Sequence, residues 1–281
     1  MSISEKLLIT VAPCIPTYMA KDVPGLDLSP EGLAEEIIRS YNAGASILHL
    51  HVWDGDGVPT TDLDAFKKTI DLVRQKTDMI IEGSTGGFND LTPAERSTSL
   101  LVDIEMASLN PGSVNYDQGV YINSPADIRY WVETMHKRKI KPDIAIFDSA
   151  MIHTSLQHAQ NGLIEEPLIF TFVLGQEGAI PATAKNLMFL TDNVPPDSLK
   201  FVARHSNPDI SLMVMNMTMG GHARAGYEDS PYYLPGQHAK SNAQLIERIV
   251  RIGREIGREP ASTSEARSIL GLKTIRRLKS I

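Results

Sequence analysis

Ser46-Ile47-Leu48-His49-Leu50-His51-Val52-Trp53-Asp54 is the stretch from which the fold is read. Its apolar run has strand length and little alternation, the pattern of a strand buried on both faces in a parallel sheet. Helical segments flank it. Upstream, Ser29-Pro30-Glu31-Gly32 sets a capping serine before a proline at the first helical position; residues 33–42 repeat apolar side chains at helical spacing, and Gly44 closes the helix. Downstream, residues 62–76 carry the next helical pattern.

The same unit recurs outward in both directions. Further apolar runs lie at 7–11, 79–83, 104–109, 143–147, 168–174 and 199–203, with a shorter one within 221–227. Helical patterns occupy 127–139, 183–192, 208–219 and 241–256, and Thr92-Pro93 and Ser124-Pro125 repeat the start signal. Strand and helix alternate about eight times, which favours a closed α/β architecture, the (β/α)8 TIM barrel of roughly 250 residues, over an open sheet. No Pro/Ser/Gly-rich linker divides the chain, so 1–281 is expected to form one barrel domain with a short C-terminal helical extension at 263–272.

Composition narrows the function. The formal net charge is −7 and no basic stripe is present, which argues against nucleic acid or an anionic membrane as partner. No apolar stretch approaches the ~20 residues of a membrane span. The chain has one cysteine, Cys14, which cannot form an internal disulfide. With no basic-then-apolar leader pattern, the expectation is a soluble protein of the reducing cytoplasm, with Cys14 a small buried residue at a strand end.

In such a barrel the chemistry sits where strands end. His49 and His51 are two apart, so on a strand they share a face. Two imidazoles on one inward face are costly unless bonded, and a divalent metal, most simply zinc, suits them, as would two hydrogen-bonded core histidines. Asp54-Gly55-Asp56-Gly57 has part of a calcium loop's pattern but reads as a turn. The eighth run leads into Arg224, Glu228 and Asp229 among glycines. Glu228 completes a His2Glu ligand set, Asp229 is a candidate base, and Arg224 pairs with Asp229 or grips a carboxylate; the alternative is a surface turn with a salt bridge. After the third run, Ser84, Thr85, Gly86 and Gly87 offer two hydroxyls and backbone N–H groups to an anionic substrate. Ser108 and Asn110 share a face at the fourth, and Asp148 ends the fifth as a ligand-orienting group or a helix cap.

The segments HLHVWDGDG, EGSTGG, EMASLNPGSVN, FVLG, AKNLM and GGHARAGYEDSPYYLPGQHAKSNAQLIERIVRIGREIGR resemble the β-keto acid cleavage enzymes, the 3-keto-5-aminohexanoate-cleaving members in particular, from about Leu7 to Leu272. The resemblance implies a (β/α)8 barrel, a homotetramer, a zinc-type cation and acetyl-CoA as co-substrate. It places His49, His51 and Glu228 on metal ligands, Ser84, Gly87, Ser108 and Asn110 on positions that hold the substrate, and Arg224 and Asp229 on the catalytic pair. The implied reaction joins a β-keto acid with acetyl-CoA and yields acetoacetate and a new acyl-CoA.

Two positions depart from that pattern. Thr17 stands where the aminohexanoate-cleaving members carry a glutamate for the substrate's ammonium group, so a substrate without that group is expected. Ala145 stands where relatives carry an acid that supports the Arg–Asp pair, and Glu82 stands where relatives tend to carry an amide. Two rival readings stand beside it: a metal-dependent hydrolase of amidohydrolase type drawing on His153, His205 and Asp229, and a metal-dependent carboxylate-binding protein without turnover.

Overall fold

The computed structural model describes residues 6–16, 19, 23, 25–86, 90–116, 119–205 and 207–272. Eight strands form the wall: β1 (Ile9–Val11), β2 (Ile47–Leu50), β3 (Ile80–Gly83), β4 (Met106–Leu109), β5 (Lys141–Ile146), β6 (Ile169–Val173), β7 (Leu199–Ala203) and β8 (Ala223–Ala225). They hydrogen-bond in the order β7-β6-β5-β4-β3-β2-β1-β8, and every pairing is parallel. The seam between β7 and β8 is bridged by the His222 N–H on Lys200 O at 2.7 Å. Asn216 stitches the same seam, donating from Nδ2 to Lys200 O (2.8 Å) and His222 O (2.9 Å). The sheet is thus nearly closed, and the architecture is the (β/α)8 barrel.

Helices α1 (Pro30–Ala43), α2 (Asp64–Lys76), α3 (Pro125–Arg138), α4 (Ser149–Gln160), α5 (Ala184–Asn193), α6 (Ser211–Thr218) and α7 (Asn242–Glu255) lie between and after the strands. The start signals are structural: Ser29 caps α1 through the Gly32 N–H, and Ser124 forms a capping box with Asp127 on α3. Gly44 ends α1 at φ 118, a backbone shape that suits glycine.

Four elements differ from the sequence reading. After β3 the crossover is a single helical turn, Pro93–Arg96, and a 3-10 turn, Thr98–Leu101. α4 carries no proline start signal; Asp148 caps it by accepting the Ala150 N–H at 3.0 Å. Between β4 and α3 a hairpin intervenes, Val114–Tyr116 against Gly119–Tyr121. α6 starts at Ser211 rather than 208, since Asp209 accepts the Ser211 N–H at 2.8 Å and turns the chain there.

The inside of the barrel changes character along its axis. At the base, Leu8, Ile47, Ile80, Met106, Ile169 and Phe201 form an apolar layer closed from below by Ala266 and Leu270, at the end of helix α8 (Thr263–Ile269). Two residues further along the same strands, on the same inward face, come Thr10, His49, Glu82, Ser108 and Thr171. The base is therefore a core and the top is a polar chamber.

Candidate active site

His49 lies on β2 and His51 just past its end, and both project into the chamber, where Glu228 arrives from the loop after β8. His49 Nε2 stands 3.3 Å from His51 Nε2 and 3.5 Å from Glu228 Oε1, and His51 Nε2 stands 3.3 Å from Glu228 Oε2. The three candidate ligand atoms lie within 4.8 Å of one another, and among the described residues this is the group that could hold a metal ion. Glu228 is delivered by backbone: its N–H donates to Ala12 O at 3.1 Å, and Gly226 lets the loop press against that carbonyl.

The donor set fits a zinc-type cation. His49 Nδ1 meets Glu82 Oε1 at 2.6 Å, so a hydrogen on Nδ1 leaves the Nε2 lone pair facing the cluster. Burial drives the His49 pKa down to about 3, which keeps the ring neutral, as a ligand must be. Burial works against the Glu228 charge, but Arg224, His49 and His51 outweigh it and hold the carboxyl well below its ordinary range. Glu228 Oε2 is buried without a hydrogen-bond partner, a costly arrangement that a cation would relieve.

Arg224 on β8 binds both acids that follow it. Its Nε reaches Asp229 Oδ2 at 3.1 Å, its Nη2 reaches Asp229 Oδ1 at 3.1 Å, and Nη2 also meets Glu228 Oε1 at 2.5 Å. The surface-turn alternative fails, because Arg224, Glu228 and Asp229 are all buried. The pair forms without an acid at Ala145, which sits half-buried opposite Thr171. Interior acids are supplied instead by Glu82 and Asp143, the latter accepting the Thr171 hydroxyl at 2.8 Å. Burial, with Glu228 adding and Arg224 opposing, lifts Glu82 to about 7; burial and the Glu82 charge lift Asp143 to about 8.

The remaining residues are placed as follows. Ser84 is buried beside the cluster, its Oγ accepting the Gly86 N–H at 3.0 Å. Thr85 is fully buried and donates its hydroxyl to Ser108 O at 2.7 Å, a geometry that ties the loop to β4. Ser108 Oγ accepts the Thr85 N–H at 3.1 Å, and Asn110 extends Nδ2 to the Tyr121 hydroxyl at 3.5 Å. Gly87 and Thr17 lie outside the described residues. Asp54 accepts the N–H groups of Asp56 and Val58, so that loop is a turn. Cys14 is fully buried, and burial raises its thiol to about 12, so it is an inert core residue. His153 is exposed on α4 and pairs with Gln157, and neither it nor His205 joins the cluster, which removes the hydrolase scheme. Asp143 and Tyr121 carry no motif that sequence reasoning singles out; only the inward phase of β5 pointed to Asp143.

Comparison with known proteins identifies the family. Residues 6–272 match the family described as beta-keto acid cleavage enzyme. The chain is 38% identical over 271 residues to a 3-keto-5-aminohexanoate cleavage enzyme of Fusobacterium nucleatum, covering 96% of this chain and 99% of that one. It is 30% identical to a 3-oxoadipate:acetyl-CoA acetyltransferase of Cupriavidus necator, covering 97% of each. In fold it is similar to the solved apo structure of ObcA, with a TM-score of 0.72 at 19% identity over 89% of this chain and 66% of that one.

Proposed function

The chain belongs to the beta-keto acid cleavage enzyme family, and from that premise we propose that it transfers acyl groups between a β-keto acid and acetyl-CoA, yielding acetoacetate and a new acyl-CoA. One observation carries the reading: the His49–His51–Glu228 cluster shares the chamber with the buried Arg224–Asp229 pair.

His49, His51 and Glu228 would hold a cation, which would supply Lewis acidity that favours loss of a C2 proton from the keto acid. Asp229, oriented by Arg224, takes that proton as general base. The C2 carbanion attacks the thioester carbonyl of acetyl-CoA and expels the CoA thiolate. The thiolate attacks the original keto carbon, and the bond between that carbon and C2 breaks. Asp229 returns its proton to C2 as acetoacetate departs, and the rest of the substrate leaves as its CoA thioester. No protein nucleophile is needed, consistent with the inert Cys14 thiol. Ser84, Ser108 and Asn110 hold the carboxylate and keto end, together with Gly87 by family resemblance. Thr85 fixes their loop, and Thr17 argues for a substrate without an ammonium group.

Two imidazoles and one carboxylate favour zinc. The homotetramer rests on family resemblance. A cytoplasmic location rests on the single cysteine and on acetyl-CoA as co-substrate.

The test is a panel of β-keto acids incubated with acetyl-CoA, with acetoacetate and the new CoA ester both followed. Turnover of at least one acid supports the reading; background rates on every acid would favour a binding protein. His49→Ala should lose both bound metal and turnover, and full activity in a metal-free variant would sink the mechanism.

A further inference from the structure

Tyr121 ends the second strand of the hairpin that rises between β4 and α3. Its hydroxyl meets Asn110 Nδ2 at 3.5 Å. A methyl group placed on Gly86 would lie 3.2 Å from Ser84 Oγ, 3.5 Å from the Tyr121 hydroxyl and 3.8 Å from His51 Cε1. The loop at Gly86 thus sets the phenol beside a serine hydroxyl and the His51 ring. The phenol is also held in place. Arg96 lies between the rings of Tyr121 and Trp131, at 4.8 and 4.7 Å from their centroids. Arg96 also donates to Ile122 O at 2.7 Å and to Asn123 Oδ1 at 2.8 Å, which pins the chain just after Tyr121. A buried arginine that stacks on the ring and bonds the adjacent backbone lowers the entropy lost when the hydroxyl meets a ligand.

We infer that Tyr121 is a substrate-binding residue whose hydroxyl donates to the carboxylate of the β-keto acid beside Ser84 and Asn110. The inference rests on the function proposed above. An anion beside these groups would meet hydroxyl and amide donors on one side and the His49–His51–Glu228 cluster on the other, an arrangement suited to a carboxylate next to a keto group.

The experiment measures acetoacetate binding by calorimetry to metal-loaded wild type and Tyr121→Phe, which keeps the ring and its stacking on Arg96. A hydrogen bond to a charged group predicts about tenfold or greater weakening in the variant. Metal content and unfolding temperature should stay at wild-type values, and the KM for the β-keto acid should rise while that for acetyl-CoA holds. Equal acetoacetate affinity in both proteins would overturn the assignment alone. Loss of metal or of folding in Tyr121→Phe would also overturn it, by showing a structural role. Failure of the wild type to bind acetoacetate would overturn the functional reading itself.

Discussion

Glu82 lies outside the His49–His51–Glu228 cluster, yet its contact with Nδ1 decides which nitrogen of His49 faces that cluster. Its Oε1 lies 2.6 Å from Nδ1 inside a fully buried pair. A carboxylate there orients the ring and raises its basicity, and losing such support typically costs 10- to 100-fold in metal affinity, at about 1.4 kcal/mol per tenfold. Glu82→Leu should therefore weaken zinc binding by about that factor in a chelator competition, with a smaller effect for Glu82→Gln, whose amide oxygen still accepts from Nδ1. Zinc affinity unchanged in both variants would show that neighbouring packing alone holds the imidazole. The apolar flanks of His49 were plain from the sequence, and Glu82 was visible as an unusual residue. Their contact was not, because it joins two strands whose register is set by the whole sheet.

At the level of elements, the decisive piece is the join between β8 and the loop that follows it. Gly226 lies so close to β1 that an added Cβ would stand 2.0 Å from Ala12 O. The neighbour is backbone and cannot rotate aside. Gly226→Ala should therefore push the loop off β1, breaking the Glu228 N–H to Ala12 O bond that delivers the third ligand. Overpacking of this kind costs about 1–3 kcal/mol or more. The expected outcome is a lower unfolding temperature together with weakened metal binding, read by thermal denaturation and metal titration. A variant with native zinc affinity would show that Glu228 finds its place without that close approach. The glycine-rich motif was legible in the sequence as a functional segment. Which of its glycines is sterically required appeared only when β8 was laid beside β1.

For the molecule as a whole, the barrel carries a polar chamber above an apolar base, and the chamber contains acids held away from water. The folded pKa of Asp143 is about 8, above its ordinary 3.8, and that of Glu82 is about 7, above 4.5. Between the ordinary and folded values the folded state holds protons that the unfolded chain has released. The stability these acids contribute is thus full below about pH 4 and is lost as pH rises through about 7 and then 8. Metal-free protein should lose stability from about pH 4 to about pH 8, with a slope up to about 1.4 kcal/mol per pH unit for each proton held. Asp143→Asn should flatten that decline in denaturant titrations at a series of pH values, and an equally steep decline in the variant would remove Asp143 from the account.

The sequence by itself determined the alternation of buried strands and capped helices, because hydrophobic period and cap chemistry are local properties. It also singled out the two clustered histidines and the acidic residues after β8, whose types and spacing are fixed along the chain. Tertiary structure decided what closes the cluster. Residues 49 and 228 meet because β8 pairs with β1, which pairs with β2, a consequence of ring closure that no local pattern contains. It also decided that Asp143 and Glu82 supply the interior acids in a strand layer where Ala145 has none, and that a hairpin brings Tyr121 over the mouth. Each of these depends on the inward phase and height of side chains from separate strands, and those are set only when the barrel closes.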